Sequence, residues 1–462
     1  MAYVLLSIVV IGLILLATEN VNRINKAAVT IFVGVSCWML YIAQGTSFVL
    51  SEHASDFLEY TASYGAKGSS VKDFIANHVF VRYVAQCAEI VLFLMATTTI
   101  AEVLNNNGCF DFVQRMLKAL SPQRYLWLST AIAFIVSANI DNLTTAIIVL
   151  SIIHPMLRDS KAKRIILSNT VIATCCGGAV TAIGDLTSVK LWNDALITPT
   201  TFFTMMIVPI LVCQLTITTL LSRSLPLRLP YTESLPSFSD DDSTYFGWRQ
   251  ATMLFLGIGG LWFIPTFRRI TLLPPFLGAL CVLALLWFVN ELFNHRLMRS
   301  NMMVRKRMPI AFQYANMQNL LYFIGLMLTF GALTEAGLMH RLLSFCTANG
   351  WETYSVNAVM AFASAIFGNV PALLGGISIF HDDAAITHMS QALACDGVFW
   401  PTLVYCTTIG GLALCTSSVA GSILTRMGQM TLGWYVRHIT PKVVVGFATG
   451  CLTLWCVNML AA

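Results

Sequence analysis

"SANIDNLTTA" (137–146) stands in the middle of about thirty otherwise apolar residues running from Tyr125 to Met156. A carboxylate at the centre of a bilayer costs about 2.5–3.5 kcal/mol even on insertion scales. Asp141 therefore needs something that repays its burial. The surrounding Ser, Asn and Asp residues also disfavour a helix interior, because their short polar side chains compete for backbone hydrogen bonds. The stretch reads as one apolar segment broken at its centre. A second segment, 354–380, is broken in the same way by "SAIFGNVP" (364–371). Each is long for a single helix, and each is expected to be a re-entrant hairpin.

The rest of the chain supports an all-α polytopic membrane protein. Of 462 residues, 57% are hydrophobic and only 11% charged, with a mean hydropathy of +0.73, too few polar side chains to cover a soluble surface of that size. About ten transmembrane helices are expected, near 2–18, 27–46, 84–104, 165–190, 200–222, 249–265, 271–293, 318–338, 398–424 and 443–461. No hydrophilic segment is long enough for an extramembrane domain, so residues 1–462 read as a single membrane transport domain. The first segment has no basic region before it and no small-residue cleavage site after it, and is expected to be a retained span. Thirteen cysteines, including the adjacent Cys175 and Cys176, show no metal-ligand spacing and read as packing residues. The net charge of +5 is spread over loops without aromatic interleaving, which gives nucleic-acid binding no support.

Loop charge sets the orientation. Arg115, Lys118 and Arg124 precede the first hairpin, and Arg158, Lys161, Lys163 and Arg164 follow it, so both its ends are expected inside. The segments flanking the second hairpin are poor in Lys and Arg, which places its ends outside. The basic loop 295–307 then falls inside, and only Arg268-Arg269 lies on the wrong side. Ser137-Ala138-x-x-Asp141-Asn142-Leu143 aligns with Ser364-Ala365-x-x-Gly368-Asn369-Val370. About forty residues after each comes a Gly-Gly pair, in "GGAVTAIGDLTS" (177–188) and "GGLALCTSSVAG" (410–421). Two like units entering from opposite faces make an inverted-topology repeat with discontinuous helices, roughly 84–222 and 318–461. In such a repeat, broken helices meet near the midplane around a substrate or ion.

Candidate ligands cluster at the breaks. Asp141, Asn142, Thr144 and Thr145 offer a carboxylate, an amide and two hydroxyls, and Asp185, Thr187 and Ser188 offer a similar set. Oxygen donors of this kind suit a hard cation such as Na⁺ or Li⁺, and a carboxylate out of water can hold either a proton or a sodium ion. Asp141 and Asp185 can also cap broken helix ends. Glu89 and Glu102 are about 20 Å apart along one helix and cannot share a site. Glu89 is a candidate for a proton route, and Glu102 reads as interfacial. Lys190 is expected to snorkel to the outer interface rather than to pair with Asp185. His381-Asp382-Asp383 reads as a solvated loop, "SFSDDD" (237–242) as a short acidic cytoplasmic loop, and 109–120 as a helix lying along the membrane surface. No nucleophile, base and orienter set and no nucleotide-binding glycine loop is present, so neither an enzyme nor an ATP-driven pump is expected, and no cofactor is implied.

"SANIDNLTTAIIVL", "SNTVIATCCGGAVTAIGDLTSVKLW" and the late "WYVRH" resemble the NhaD-type sodium/proton antiporters of the ion transporter superfamily. The resemblance runs over nearly the whole chain. It implies a multi-pass protein of the bacterial inner membrane that exchanges Na⁺ or Li⁺ for H⁺, with a homodimer as the expected assembly. It places Asp141, Asn142, Thr145, Asp185 and Thr187 at ion-binding positions, with Ser364 and Asn369 as their polar counterparts in the second hairpin. The chain departs from the family at Gly368, where an aspartate is common, at "FQYANMQNLL" (312–321), where an acidic motif is expected, and at Lys190. An anion permease of the same superfamily, for dicarboxylates or oxyanions, and a non-transporting sensor or partner protein are the competing readings.

Overall fold

A chain in lipid must satisfy its backbone polar groups internally, and an apolar chain of this length does so with helices. The structure, a computed structural model, describes residues 2–22, 24–64, 70–118, 120–158, 161–226, 247–298, 310–380, 390–428 and 430–461. Among these it is all helix and turn, without a strand. The acidic loop 237–242, the basic loop 295–307 beyond its first four residues, and His381-Asp382-Asp383 lie outside the described residues. All thirteen cysteines are free and most are buried, as packing residues are.

Seven helices among the described residues are long and apolar enough to cross a membrane. They correspond to seven of the ten expected spans, including Val81–Asn106, Pro199–Ser222, Ile310–Glu335 and Thr440–Ala461. The expected span 2–18 is a shorter helix, Ala2–Ala17. The other two expected spans, 165–190 and 398–424, are not single helices. Each is broken: Lys161–Gly178 and Leu186–Asn193 flank the irregular residues 179–185, and Phe399–Gly411 and Val419–Gly428 flank 412–418. Both segments are buried on nearly every side, so their apolar pattern carries no periodicity in which a break could register.

The two hairpins break where their sequences do. Pro122–Asn139 ends on extended Ile140, and Asn142–Met156 begins immediately after Asp141. Thr353–Phe367 ends at Gly368, and Asn369–Phe380 follows. Helix Pro122–Asn139 packs along Lys161–Gly178, and Thr353–Phe367 along Phe399–Gly411. Glycine makes each crossing close: a Cβ on Gly177 would lie 2.3 Å from the Phe134 carbonyl oxygen, and one on Gly410 would lie 2.9 Å from that of Ala361. Lys26–Ala43 packs along Ile310–Glu335, and Pro199–Ser222 along Thr440–Ala461. Between the expected spans 27–46 and 84–104, the described residues 47–64 and 70–80 fold into short helices that include Gly45–Glu52 and Ala54–Tyr64. Asp111–Leu117 is a short helix whose Val113 and Leu117 face the core, consistent with the amphipathic reading of 109–120.

Candidate cation site

At the first break, the sequence makes its own cap. Asp141 has a non-helical backbone, with φ −47° and ψ 137°, and accepts hydrogen bonds from the Thr144 amide at 3.1 Å and the Thr144 hydroxyl at 3.2 Å. Capping and burial coexist, because only 4% of Asp141 is exposed. The neighbouring Asn142 turns to the other break: its backbone N–H donates to Gly184 O at 3.1 Å, and its amide nitrogen donates to Asp185 Oδ1 at 3.0 Å. Asp185 precedes the helix Leu186–Asn193 but does not cap it through its side chain. Its other oxygen, Oδ2, accepts from the Thr187 hydroxyl at 2.7 Å. Asn142, next to Asp141 in the chain, thus ties the first break to the buried Asp185 carboxylate of the second.

Further bonds lock the breaks in place. Ser137 Oγ donates to Thr174 O at 2.6 Å, and Thr181 Oγ1 donates to Ala138 O at 2.7 Å. Gly178 allows the closest approach, since a Cβ there would lie 2.6 Å from Gly184 O and 3.0 Å from the Asn142 Cβ. Thr145 Oγ1 and Ser188 Oγ, each in the first turns of the helices that begin at these breaks, are buried and make no hydrogen bond in the structure. Buried polar atoms ordinarily find a partner. Carboxylate, amide and hydroxyl oxygens form a donor set that fits a hard cation carried as substrate.

The second half repeats the locks without the acids. Ser364 Oγ donates to Thr407 O, Ser417 Oγ donates to Ala365 O, and Asn369 N–H donates to Ser417 O at 3.2 Å. Asn369 therefore stands to Ser417 as Asn142 stands to Gly184, which pairs Asp185 with Ser418. Ser418 Oγ accepts from the Gly421 amide, as a local cap. The place of Asp141 is taken by Gly368, whose φ is +109°. A Cβ there would also approach Ser417 O to 2.9 Å. The turn has a shape that glycine tolerates and aspartate does not, so the missing acid is matched by a different backbone.

Glu89 is not brought to the two aspartates. It accepts from Asn193 Nδ2 at 2.8 Å, at the far end of the Leu186–Asn193 helix. There Arg268 donates to Trp192 O at 2.5 Å and to Asn193 O at 3.3 Å, with its guanidinium 5.2 Å above the Trp192 ring. The one basic residue pair that departs from the expected loop charges thus includes a C-terminal cap. Lys190 does not snorkel into an open interface. It is 6% exposed, and its ammonium lies 2.7 Å from Asp194 Oδ2. It pairs with Asp194 rather than with Asp185, and the i,i+4 spacing was the available signal.

Sequence reasoning also missed a buried acid at the end of Ile310–Glu335. Glu335 accepts from Arg82 at 2.9 Å and Tyr83 at 2.8 Å and lies 2.6 Å from His53 Nε2. The hydrogen bond to Glu335 holds the His53 pKa above its ordinary value. A cavity of about 400 Å³, lined by His53, Asp56, Tyr60, His78 and Arg82 among others, opens beside this cluster and away from Asp141 and Asp185.

Residues 13–371 match the family model described as "Citrate transporter" (CitMHS). The chain belongs to that family. Among curated relatives, it is 24% identical to "Sodium/proton antiporter 2" of Arabidopsis thaliana over 97% of this chain and 98% of that protein. It is 25% identical to "Sodium/proton antiporter 1" of the same plant, over 96% of this chain and 70% of the relative. A bacterial relative, "Na(+)/H(+) antiporter NhaD" of Vibrio parahaemolyticus, is 24% identical over 78% and 88%. Family and relatives support the NhaD-type resemblance and a multi-pass transport protein. Within the CitMHS family match fall both hairpins up to Pro371 and the first broken helix, the elements that carry Asp141 and Asp185.

Proposed function

We propose that this protein exchanges Na⁺, or Li⁺, for H⁺ by alternating access between two inverted repeats, roughly 84–222 and 318–461, whose hairpins enter from opposite faces. Asp141, Asn142, Thr145, Asp185 and Thr187 hold the exchanged ion. The observation that carries this reading is the burial of Asp141 and Asp185 at two helix breaks held together by Asn142, whose N–H donates to Gly184 O and whose Nδ2 lies 3.0 Å from Asp185 Oδ1. Two carboxylates in one dry site cannot both stay charged without a cation, so proton and sodium compete for the same place. When one face is open, Na⁺ displaces the proton; when the other is open, the proton returns. If both aspartates cycle, two protons exchange for one Na⁺, and if one cycles, exchange is electroneutral.

Ser364 and Asn369 hold the opposing break in register. Glu89 is a waypoint for protons on the side where Asn193 ends its helix. The relatives come from a plant and from bacteria, and the reading requires a membrane that carries a proton gradient, which in a bacterium is the inner one. The test uses vesicles from cells lacking their own antiporters, energised to an acidic interior, with NaCl or LiCl added while a ΔpH dye is followed. Wild type should collapse the gradient, and Asp141→Asn and Asp185→Asn should each abolish the response while remaining inserted. Normal exchange in both variants would refute the assignment. Sodium-dependent citrate uptake, lost in the same variants, would instead favour the anion reading that the family description suggests.

A further inference from the structure

The basic residues that open the helix Lys161–Gly178 are more than markers of orientation. This helix packs against Val419–Gly428, and Ser168 Oγ lies 3.5 Å from Met430 Sδ, so its first turns meet the chain just past that partner. There the guanidinium of Arg164 lies 5.9 Å from the centre of the Trp434 ring. Trp434 in turn stacks on His438, with ring centres 4.9 Å apart and planes 13° from parallel. Lys442 Nζ donates to His438 O at 2.9 Å. Residues 434, 438 and 442 follow one another at the four-residue spacing of one helical face. Lys161, three residues before Arg164, is the charged neighbour of Lys442. Lys161 and Arg164 from the first half of the chain thus face Lys442 from the second, beside the Trp434 and His438 rings.

Three cations meet here, and among the described residues no carboxylate pairs with any of them. Like charges held close together repel, and an anion between them removes the repulsion. Arg164 gives a second sign: its Nε is shut off from solvent and makes no hydrogen bond, although buried donors ordinarily find an acceptor. Stacking on an indole uses the flat of the guanidinium and leaves its N–H edge for an oxyanion. An arginine edge flanked by two ammonium groups suits a phosphate. The surface around it decides what carries that phosphate. Leu432, Val436, Val444 and Val445 are 39%, 40%, 53% and 48% exposed, an apolar border that acyl chains cover better than water does. Tryptophan and basic residues beside such a border are anchors at headgroup level. The loop charges assign this end of the helices to the inner face, where anionic lipids make the leaflet surface negative.

We propose that this cluster binds one anionic phospholipid of the inner leaflet, its phosphate held between Arg164, Lys161 and Lys442 and an acyl chain lying along Val444 and Val445. The site is separate from Asp141 and Asp185 and goes beyond the exchange reading. Because its donors come from both halves of the chain, the lipid bridges them.

The test follows lipid binding to the purified, full-length protein, stripped of lipid in a neutral detergent, by thermal shift and native mass spectrometry. Phosphatidylglycerol should raise Tm saturably and stay bound at one molecule per chain. Phosphatidylcholine, whose headgroup carries its own cation, should do neither. Arg164→Gln and Lys442→Gln should each weaken phosphatidylglycerol binding about tenfold or more, the cost of a charge-assisted hydrogen bond. Arg124→Gln, which removes an exposed basic residue from another loop assigned to the same face, should bind as wild type does. An equal loss in Arg124→Gln, or equal binding of phosphatidylcholine, overturns the proposal in favour of diffuse attraction. Glycerol 1-phosphate, the headgroup without chains, should compete only at concentrations about 100-fold higher or more, since each buried CH₂ adds to affinity. Equal potency would replace the lipid with a soluble phosphate ester. If Arg164→Gln does not fold, Lys161→Gln, at an exposed position, decides, and wild-type binding there overturns the assignment.

Discussion

Replacing Gly178 by alanine places a methyl group where the two breaks of the first half meet. The new Cβ would lie 2.6 Å from Gly184 O, about 0.8 Å inside the 3.4 Å at which ordinary contact begins. The obstacle is backbone, so no side-chain rotation relieves it, and 179–185 must move away from Asn142. A shift of that size breaks the 3.1 Å bond from Asn142 N–H to Gly184 O and the 3.0 Å bond to Asp185 Oδ1. Overpacking of this kind costs about 1–3 kcal/mol in stability, while misplacing reacting groups by about 1 Å costs on the order of 100-fold in rate. Gly411→Ala is the internal control. Its Cβ meets the Ser364 hydroxyl at 2.8 Å and the Asn369 Cβ at 3.4 Å, so relief costs the Ser364 bond to Thr407 O in the half that carries no carboxylate pair. In the vesicle assay, Gly178→Ala should lose about 100-fold in exchange rate and Gly411→Ala less than about tenfold. Equal rates for the two variants, with equal insertion, would refute the view that the approach of Gly178 to Gly184 sets the geometry of the carboxylates.

Arg268→Gln should lower thermal stability by about 2 kcal/mol, since it removes charge-assisted donors from Trp192 O and Asn193 O; a melting temperature in detergent equal to wild type would contradict the capping role. His53 has its pKa raised by Glu335, so its contribution is fully present below the ordinary histidine value of about 6.5 and is lost as pH rises through the raised value. The wild-type melting temperature should therefore fall as pH rises above about 6.5, and the part of that slope due to His53 should vanish in His53→Gln. An identical slope in the variant would show that another group titrates.

The breaks at Asp141 and Gly368 were legible because helix-disfavouring residues interrupt apolar runs there, and the structure breaks the chain at those residues. The breaks at 179–185 and 412–418 were announced by glycine pairs, yet both segments read as continuous spans. Only the tertiary bonds from Asn142 and Asn369 show why the chain unwinds there. Asp141, Asn142, Asp185 and Thr187 were singled out from residue type and spacing; the structure bonds Asn142 and Thr187 to Asp185, and Asp141 to Thr144 beside them. Lys190 and Arg268 read as topology signals, whereas each is bound within the protein. Glu335 carried no local pattern. Its partners His53, Arg82 and Tyr83 lie hundreds of residues away, and no periodicity encodes such a distance.

In each half, three hydrogen bonds and a glycine contact tie a hairpin to the broken helix it faces: Ser137 to Thr174, Thr181 to Ala138 and Asn142 to Gly184 in one, Ser364 to Thr407, Ser417 to Ala365 and Asn369 to Ser417 in the other. Such a pair behaves mechanically as one solid piece. Opening the carboxylates to either side by pulling a hairpin off its partner would leave six backbone or hydroxyl groups without partners in a region that holds no water to replace them. The inexpensive motion moves whole pieces past one another and leaves each seam closed. The seams are thus the stiff parts of the fold, and the proposed alternation would turn on contacts between the halves.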